Sequence, residues 1–254
     1  MFISRTNSTN TLLREWITKG EWPAEERFLR AGYQTAGRGQ TGNGWESEAD
    51  KNLLFSVLLP PDQEFFYQNV AISVALHLGV IEGISRVYRE YIERLAIKWP
   101  NDLYYEDRKL AGILVENAIV GNEIKYSIAG IGLNVNQTEW QSDAPNPVSL
   151  KQITGKDYDS DQLMNLFMAS LDQVLSEPRE EVWKYYKSHL YRREGFWPFV
   201  EREVNITPTM NAGKETKDQF QARIKDVLPT GEIILIDEHN NEHKYHFKQI
   251  RYII

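Results

Sequence analysis

The sequence predicts an α+β protein, a large N-terminal region of interspersed strands and helices followed by a small all-β tail. Three observations carry this. Apolar residues switch between continuous strand-like runs and helical spacing as far as His189. Beyond Trp197-Pro198 only short strand-like segments remain, separated by turn residues. With 254 residues, the chain can hold one large domain and an appendage, so the boundary is placed between 1–197 and 198–254.

The elements follow in order. Ser8-Thr9-Asn10 precedes Leu12, Leu13, Trp16 and Ile17, which predicts a helix over 10–19 with hydroxyls at its N-terminal side. Residues 27–33 read as a strand, and 35–50 as a glycine-rich loop whose one basic residue is Arg38. Leu53–Leu59 is a buried strand stopped by Pro60-Pro61. Val70, Val74, Leu78 and Ile81 recur at helical steps, so 66–87 is an amphipathic helix. Residues 95–99 and 102–105 are strands separated at Pro100, while 110–120 and 123–135 turn at Gly121-Asn122. Residues 161–189 are helical, broken near Pro178. In the tail, turns at Pro229-Thr230-Gly231 and Asn240-Asn241 divide strands of a small β-barrel or open sheet.

Composition narrows the function. The net charge of −7 disfavours a nucleic-acid partner, because neutralising phosphates needs a basic face. Without cysteine there are no disulfides and no thiolate metal sites. The N-terminus has no apolar stretch after a basic start, and no run of about 18 apolar residues follows, so neither secretion nor a membrane span is expected. A cytoplasmic location is expected, and a homodimer is compatible with the sequence.

Gly37-Arg38-Gly39-Gln40-Thr41-Gly42 satisfies G-x-G-x-x-G, but two familiar meanings fail. A dinucleotide fold needs a helix immediately afterwards, and here Trp45-Glu46-Ser47 leads to a strand. A kinase needs His-Arg-Asp and Asp-Phe-Gly segments, which are absent, as is the Walker pattern. The loop can still bring backbone amides close to an anion, with Arg38 as a forked charge and Trp45 as a stacking face. A loop connection with a packed tryptophan is the plainer alternative.

A second cluster runs Lys98-Trp99-Pro100-Asn101-Asp102, then Lys109-Leu110-Ala111-Gly112-Ile113-Leu114. Singly, its members read as a polar turn with surface lysines. Together with Ser8-Thr9-Asn10, Gln34 to Gly39 and Gly130 to Asn136, in this order and with these separations, they closely resemble the biotin–protein ligase family. The resemblance spans residues 8–136. It implies a mixed β-sheet flanked by helices, like class II synthetases and lipoate ligases, with a C-terminal SH3-like β-barrel. Some relatives add an N-terminal DNA-binding domain; with Ser8 so near the start, the monofunctional form is expected.

The chemistry implied joins biotin's carboxylate to the α-phosphate of ATP, then passes biotin to a lysine of a biotin carboxyl carrier domain. A carboxylate with a pKa of about 4–5 is already ionised at neutral pH, so the first step needs no general base. The obstacle is the approach of two anions, met by preorganised cations and Mg²⁺. By resemblance, Ser8, Thr9, Asn10, Gln34, Gly39, Gln40 and Gly112 belong to the biotin site, with Ser8, Thr9 and Gln34 on the ureido ring. Arg38 and Lys109 hold the carboxylate and the later phosphoryl junction. Trp45, Lys98, Asn101 and Asn134 belong with ATP, Trp45 stacking on adenine. Asp102 would orient Mg²⁺ or the incoming amine. The five histidines lie outside these segments and read as core or solvated residues.

Three departures from the family stand out. Gln40 replaces a usual arginine that helps retain the adenylate, Asp50 stands where many members have glycine, and the tail reads Lys248-Gln249-Ile250-Arg251 without the usual Gly-Glu. No site residue is therefore assigned beyond 136. A lipoate or octanoyl ligase is the nearest alternative, a non-catalytic biotin or nucleotide sensor the next, and a kinase-like enzyme the weakest.

Overall fold

The computed structural model describes all residues except 41, 42, 63, 65, 88, 143 and 203–214, and of 215–218 only the backbone. Thr41 and Gly42 of the glycine loop thus lie outside the described residues.

A seven-stranded sheet holds the first β1 (Phe2–Thr6), β2 (Phe28–Gln34), β3 (Leu53–Leu59), β4 (Leu95–Lys98), β5 (Asp102–Tyr105), β6 (Arg108–Val120) and β7 (Glu123–Leu133), in the order β1-β2-β3-β7-β6-β5-β4. It is mixed: β1 runs parallel to β2 and every other neighbour is antiparallel. The helices are α1 (Thr9–Lys19), α2 (Tyr67–Ile84), the short α3 (Arg89–Ile92) and α4 (Leu150–Thr154), α5 (Ser160–Ser176) and α6 (Arg179–Ser188). Among the described residues none is long and apolar enough to cross a membrane.

Strand alternation divides the faces. Leu53, Phe55, Val57 and Leu59 of β3 join the main buried cluster with α2, α5 and α6. Ser56, between them, turns the other way and meets α1, which packs through Leu13 on Leu29 and Ile128. The functional motifs gather on this second face, at the N-terminus of α1.

The tail forms a second, antiparallel sheet from β8 (Trp197–Arg202), β9 (Glu215–Val227), β10 (Ile233–Asp237), β11 (Glu242–Tyr245) and β12 (Ile250–Tyr252), ordered β11-β10-β9-β8-β12. Among the described residues no pairing of β11 with β12 closes it, so the open sheet of the two expected forms is the one seen. The two sheets share one buried cluster, in which Phe199 and Tyr252 continue Tyr104 and Tyr191. Trp99 Nε1 also donates to Gly231 O at 3.1 Å.

Most expected elements appear within a few residues of their predicted bounds, and the Pro178 break separates α5 from α6. Three were not foreseen, one of them the four-residue α3 just after the long helix. β1 has too few alternating apolar residues to announce itself, and α4 is only five residues, closed by a Ser149–Gln152 capping box. Asp50 takes a φ of +58°, the left-handed region that glycine adopts with least strain.

Candidate active site

One pocket collects the expected residues. Ser8, Thr9, Asn10, Gln34, Arg38, Gly39, Gln40, Trp45, Asn101, Asp102, Lys109 and Gly112 all line it. Its wall at α1 is uncharged and nearly buried, with Ser8, Thr9 and Asn10 each at most 5% exposed. Ser8 occupies the N-cap position, yet its side chain makes no capping hydrogen bond, so the hydroxyl is not spent on the helix. The Thr9 amide donates to Gln34 Oε1 at 2.7 Å, and Thr9 Oγ1 lies 3.1 Å from the same oxygen. This commits the Gln34 oxygen to the protein and leaves its NH₂ as the group available to a ligand.

Ser56, fully buried on β3, supports this wall from beneath. Its Oγ lies 2.7 Å from Thr9 Oγ1 and 2.6 Å from Asn10 Oδ1, and only the hydroxyl can donate to that amide oxygen. Asn10 Nδ2 in turn donates to Glu116 Oε2 at 2.8 Å and to Leu114 O at 3.3 Å. Glycines open the floor: a Cβ on Gly130 would overlap Asn10 Oδ1, and one on Gly132 would overlap the Trp45 indole. Close approach explains glycine at both positions.

The opposite wall carries charge. Gly37 and Trp45 fix the base of the glycine loop through a Trp45 N–H bond to Gly37 O of 2.9 Å, and Glu46 accepts from the Gln141 and Ser142 amides at 2.7 and 2.8 Å. Desolvation pulls the Glu46 carboxyl up, but hydrogen bonds from the Ser142 side chain and the two amides together hold it below its usual range. Arg38 projects from the loop and pairs with Glu116. Lys109, on β6, reaches Asp102 of β5 at 2.8 Å, and its Nζ stands 5.7 Å from the Trp45 ring centroid. Asn101 is buried beside them, its Nδ2 donating to Ile113 O.

Two expected residues lie apart from the lining. Lys98 runs between the rings of Tyr104 and Tyr252, at 5.1 and 5.0 Å, and burial pushes its ammonium pKa down while Asp102 pulls it up. Asn134 is 2% exposed and donates to Lys109 O and Val148 O at 3.3 and 3.1 Å, holding the strand that carries Lys109. Conversely, Asn43, Gly44, Leu114, Gly130 and Gly132 line the pocket without having been assigned. Ser56, Glu116 and Arg14 were missed because strand register and helix packing, not adjacency in sequence, bring them to the motifs.

A wider cleft adjoins the pocket at Arg38, Gly39, Gln40 and Asn43. The second sheet contributes Thr230, Gly231, His246 and Phe247 to it, although no tail residue was assigned. Among the described residues no three His, Cys, Asp or Glu side chains converge on a metal position. Mg²⁺ carried mainly by phosphates needs only one or two carboxylates, and Asp102 is the carboxylate lining the pocket. The donor set therefore fits a phosphate-borne ion.

Known proteins match both sequence and fold. At 30% identity the chain aligns with the bifunctional ligase/repressor BirA of Escherichia coli, over 81% of this chain and 58% of that protein. It aligns with the biotin–[acetyl-CoA-carboxylase] ligase of Mycobacterium tuberculosis at 32% identity, over 58% and 53%. The chain thus spans little more than half of either relative. Among solved structures, the biotin protein ligase of Aquifex aeolicus in complex with biotin and ATP superposes with a TM-score of 0.75 at 21% identity, covering 100% of this chain and 98% of that one. That of Leishmania major with biotinyl-5-AMP gives 0.64 at 19% identity, covering 97% and 98%. The profile of the biotin/lipoate A/B protein ligase family matches residues 2–134, the stretch that builds β1 to β7 and the pocket, and the chain belongs to that family.

Proposed function

We propose that the chain is a biotin–protein ligase, which forms biotinyl-5′-AMP from biotin and ATP and transfers biotin to a lysine of a biotin carboxyl carrier domain. The observation that carries this is one pocket joining a buried, uncharged polar wall to a cationic one. A ureido ring presents a carbonyl acceptor and two N–H donors, and Ser8, Thr9 and Gln34 offer hydroxyls and an amide to meet them. The valeryl carboxylate then needs cations at the other end, which Arg38 and Lys109 supply.

Binding energy from the ring places the carboxylate against the α-phosphate, converting an encounter of two anions into a positioned one; the carboxylate oxygen bonds to the α-phosphorus as the α–β phosphoanhydride breaks and pyrophosphate leaves. Lys109 and Arg38 offset the charge that gathers on the phosphorus oxygens, while the Gly39 amide, expected as a further donor, is given to Asn43 O at 2.9 Å. Mg²⁺, when bound with ATP, neutralises the phosphates, with Asp102 as the side chain that would hold it. Trp45 and Asn101 provide the surface for adenine. In the second step the neutral acceptor amine, oriented by a hydrogen bond it donates to Asp102, attacks the acyl carbon of the adenylate; the new C–N bond replaces the acyl–phosphate bond, AMP leaves, and the amine's proton goes to solvent. The same reading places the reaction in the cytoplasm, with no nucleic-acid or membrane partner, consistent with the net charge of −7.

Lipoate or octanoate would present no ring with hydrogen-bonding groups to the Ser8–Thr9–Gln34 wall, leaving buried polar atoms unpaired. The test offers biotin, lipoate and octanoate in turn, with ATP, Mg²⁺ and a biotin carboxyl carrier domain or a lipoyl domain. Biotin on the carrier lysine, read by intact mass, is expected. Equal or faster transfer of lipoate to the lipoyl domain would overturn the reading.

A further inference from the structure

We propose that Glu116 is a positioning residue, a carboxylate that holds Arg38 beside the pocket and yields it to the carboxylate of the substrate. This rests on the biotin reading above. Glu116 lies on β6 with its side chain 21% exposed, and three side chains converge on it. Arg38 Nη2 stands 3.0 Å from Oε2 and 3.3 Å from Oε1. Arg14 Nη2, from α1, stands 3.2 Å from Oε1. Asn10 Nδ2 donates to Oε2 at 2.8 Å.

One negative charge is therefore shared by two guanidinium groups. When Arg38 leaves for a ligand's carboxylate, Glu116 keeps Arg14 and the Asn10 amide, so no buried charge is stranded by the exchange. Arg38 meanwhile trades one carboxylate for another of the same geometry. The pair is half-exposed, with Arg38 43% open to solvent, and such pairs are weak enough to exchange readily. Glu116 thus competes with the substrate anion for Arg38, while Arg14 competes with Arg38 for Glu116.

The two partners of one carboxylate give effects of opposite sign. Glu116→Gln removes the competing charge, while its amide oxygen still accepts from Asn10. Biotin should bind about twofold to fivefold tighter, the size expected from an exposed pair. Arg14→Met leaves Glu116 with Arg38 as its one cationic partner of the two, and biotin should bind weaker by a similar factor. Biotin amide, which lacks the carboxylate, should bind both variants as it binds the wild type. The experiment is titration calorimetry of biotin and biotin amide into the full chain and both variants, with thermal melting of each alongside.

Opposite shifts for biotin with none for the amide support the exchange. Shifts of the same sign, no shift, or equal shifts for the amide overturn it, and an equal loss of both ligands in a variant with a lowered Tm marks a structural role instead. A second glutamate variant, Glu116→Ala, loses the Asn10 bond as well as the competing charge, so biotin amide should bind weaker while biotin loses about twofold to fivefold less than the amide; equal losses of the two ligands count against the assignment. A wild-type chain that binds neither ligand overturns the biotin reading and the inference with it.

Discussion

The two walls of the pocket are built on different physical principles. At α1, polarity is uncharged, buried and braced from within: Ser56 supports Thr9 and Asn10 at 2.7 and 2.6 Å, and Thr9 fixes Gln34. Each rotamer is locked by a neighbour that cannot relax without leaving an unpaired atom. Across the pocket the polarity is charged and half-exposed. Lys109 pairs with Asp102 at 2.8 Å and Arg38 with Glu116 at 3.0 Å, each with solvent access. Such pairs contribute little to stability and change partners easily. On the proposed reading, the first kind of surface recognises a rigid ring and the second stabilises the charge that develops on the phosphoryl oxygens.

The sharpest way to break the charged wall is Lys109→Ala. It removes the cation nearest Asp102 and Trp45 without touching the α1 network, so biotin, which keeps Arg38 and its ring contacts, should bind only about twofold to fivefold weaker. ATP–pyrophosphate exchange should fall by about 10²- to 10³-fold, the scale of losing one preorganised donor at a developing charge. Exchange at the wild-type rate would remove Lys109 from the reaction.

Ser56→Ala attacks the other wall. It leaves Asn10 Oδ1 without its buried donor and frees Thr9, at a cost of about 1–3 kcal/mol. Biotin affinity should drop about tenfold, within the range that cost allows, while kcat for exchange at saturating biotin stays near the wild-type value. A fall in kcat with biotin affinity intact would show that the α1 wall acts in the chemical step.

A third substitution reaches the floor where the walls meet. An alanine at Gly132 would place its methyl in the Trp45 indole, which must lift away. The KM for ATP should rise about threefold to tenfold, because the displaced indole loses contact area for a base while biotin's ring site is untouched. Comparing the KM values for ATP and biotin in the same exchange assay checks this; an effect on biotin alone would reassign Trp45.

What the sequence made legible follows the same division. Ser8-Thr9-Asn10, Gln34 to Gly39 and Lys109 to Gly112 are contiguous, so one strand end or helix start carries each motif into the pocket intact. Ser56 and Glu116 are different. Ser56 is an isolated polar residue in an apolar run, and its register with Gly130 across β3 and β7 is what sets it under α1. Glu116 meets Arg38, 78 residues away in sequence, and Arg14, still farther away, only through packing. Lys98 shows the converse: it belongs to a motif, but its side chain is drawn between Tyr104 and Tyr252 as the second sheet packs on the first.

The smallest predicted effect concerns Gln40, which lines both the pocket and the adjoining cleft beside Arg38. A neutral amide there gives one or two hydrogen bonds to a phosphoryl oxygen, where a guanidinium would give a charge-assisted pair. Gln40→Arg adds that pair on the solvent side of the site, where screening limits its worth. Biotinyl-5′-AMP should leave the variant about threefold to tenfold more slowly, within the range for one charge-assisted bond. Biotin affinity measured without ATP should stay as it is, because the phosphoryl group is what the new cation meets. Stopped-flow release of the adenylate, with carrier domain omitted, reads this directly. A variant that releases it as fast as the wild type would show that the glycine loop holds the intermediate through Arg38 and its backbone amides, without help from position 40.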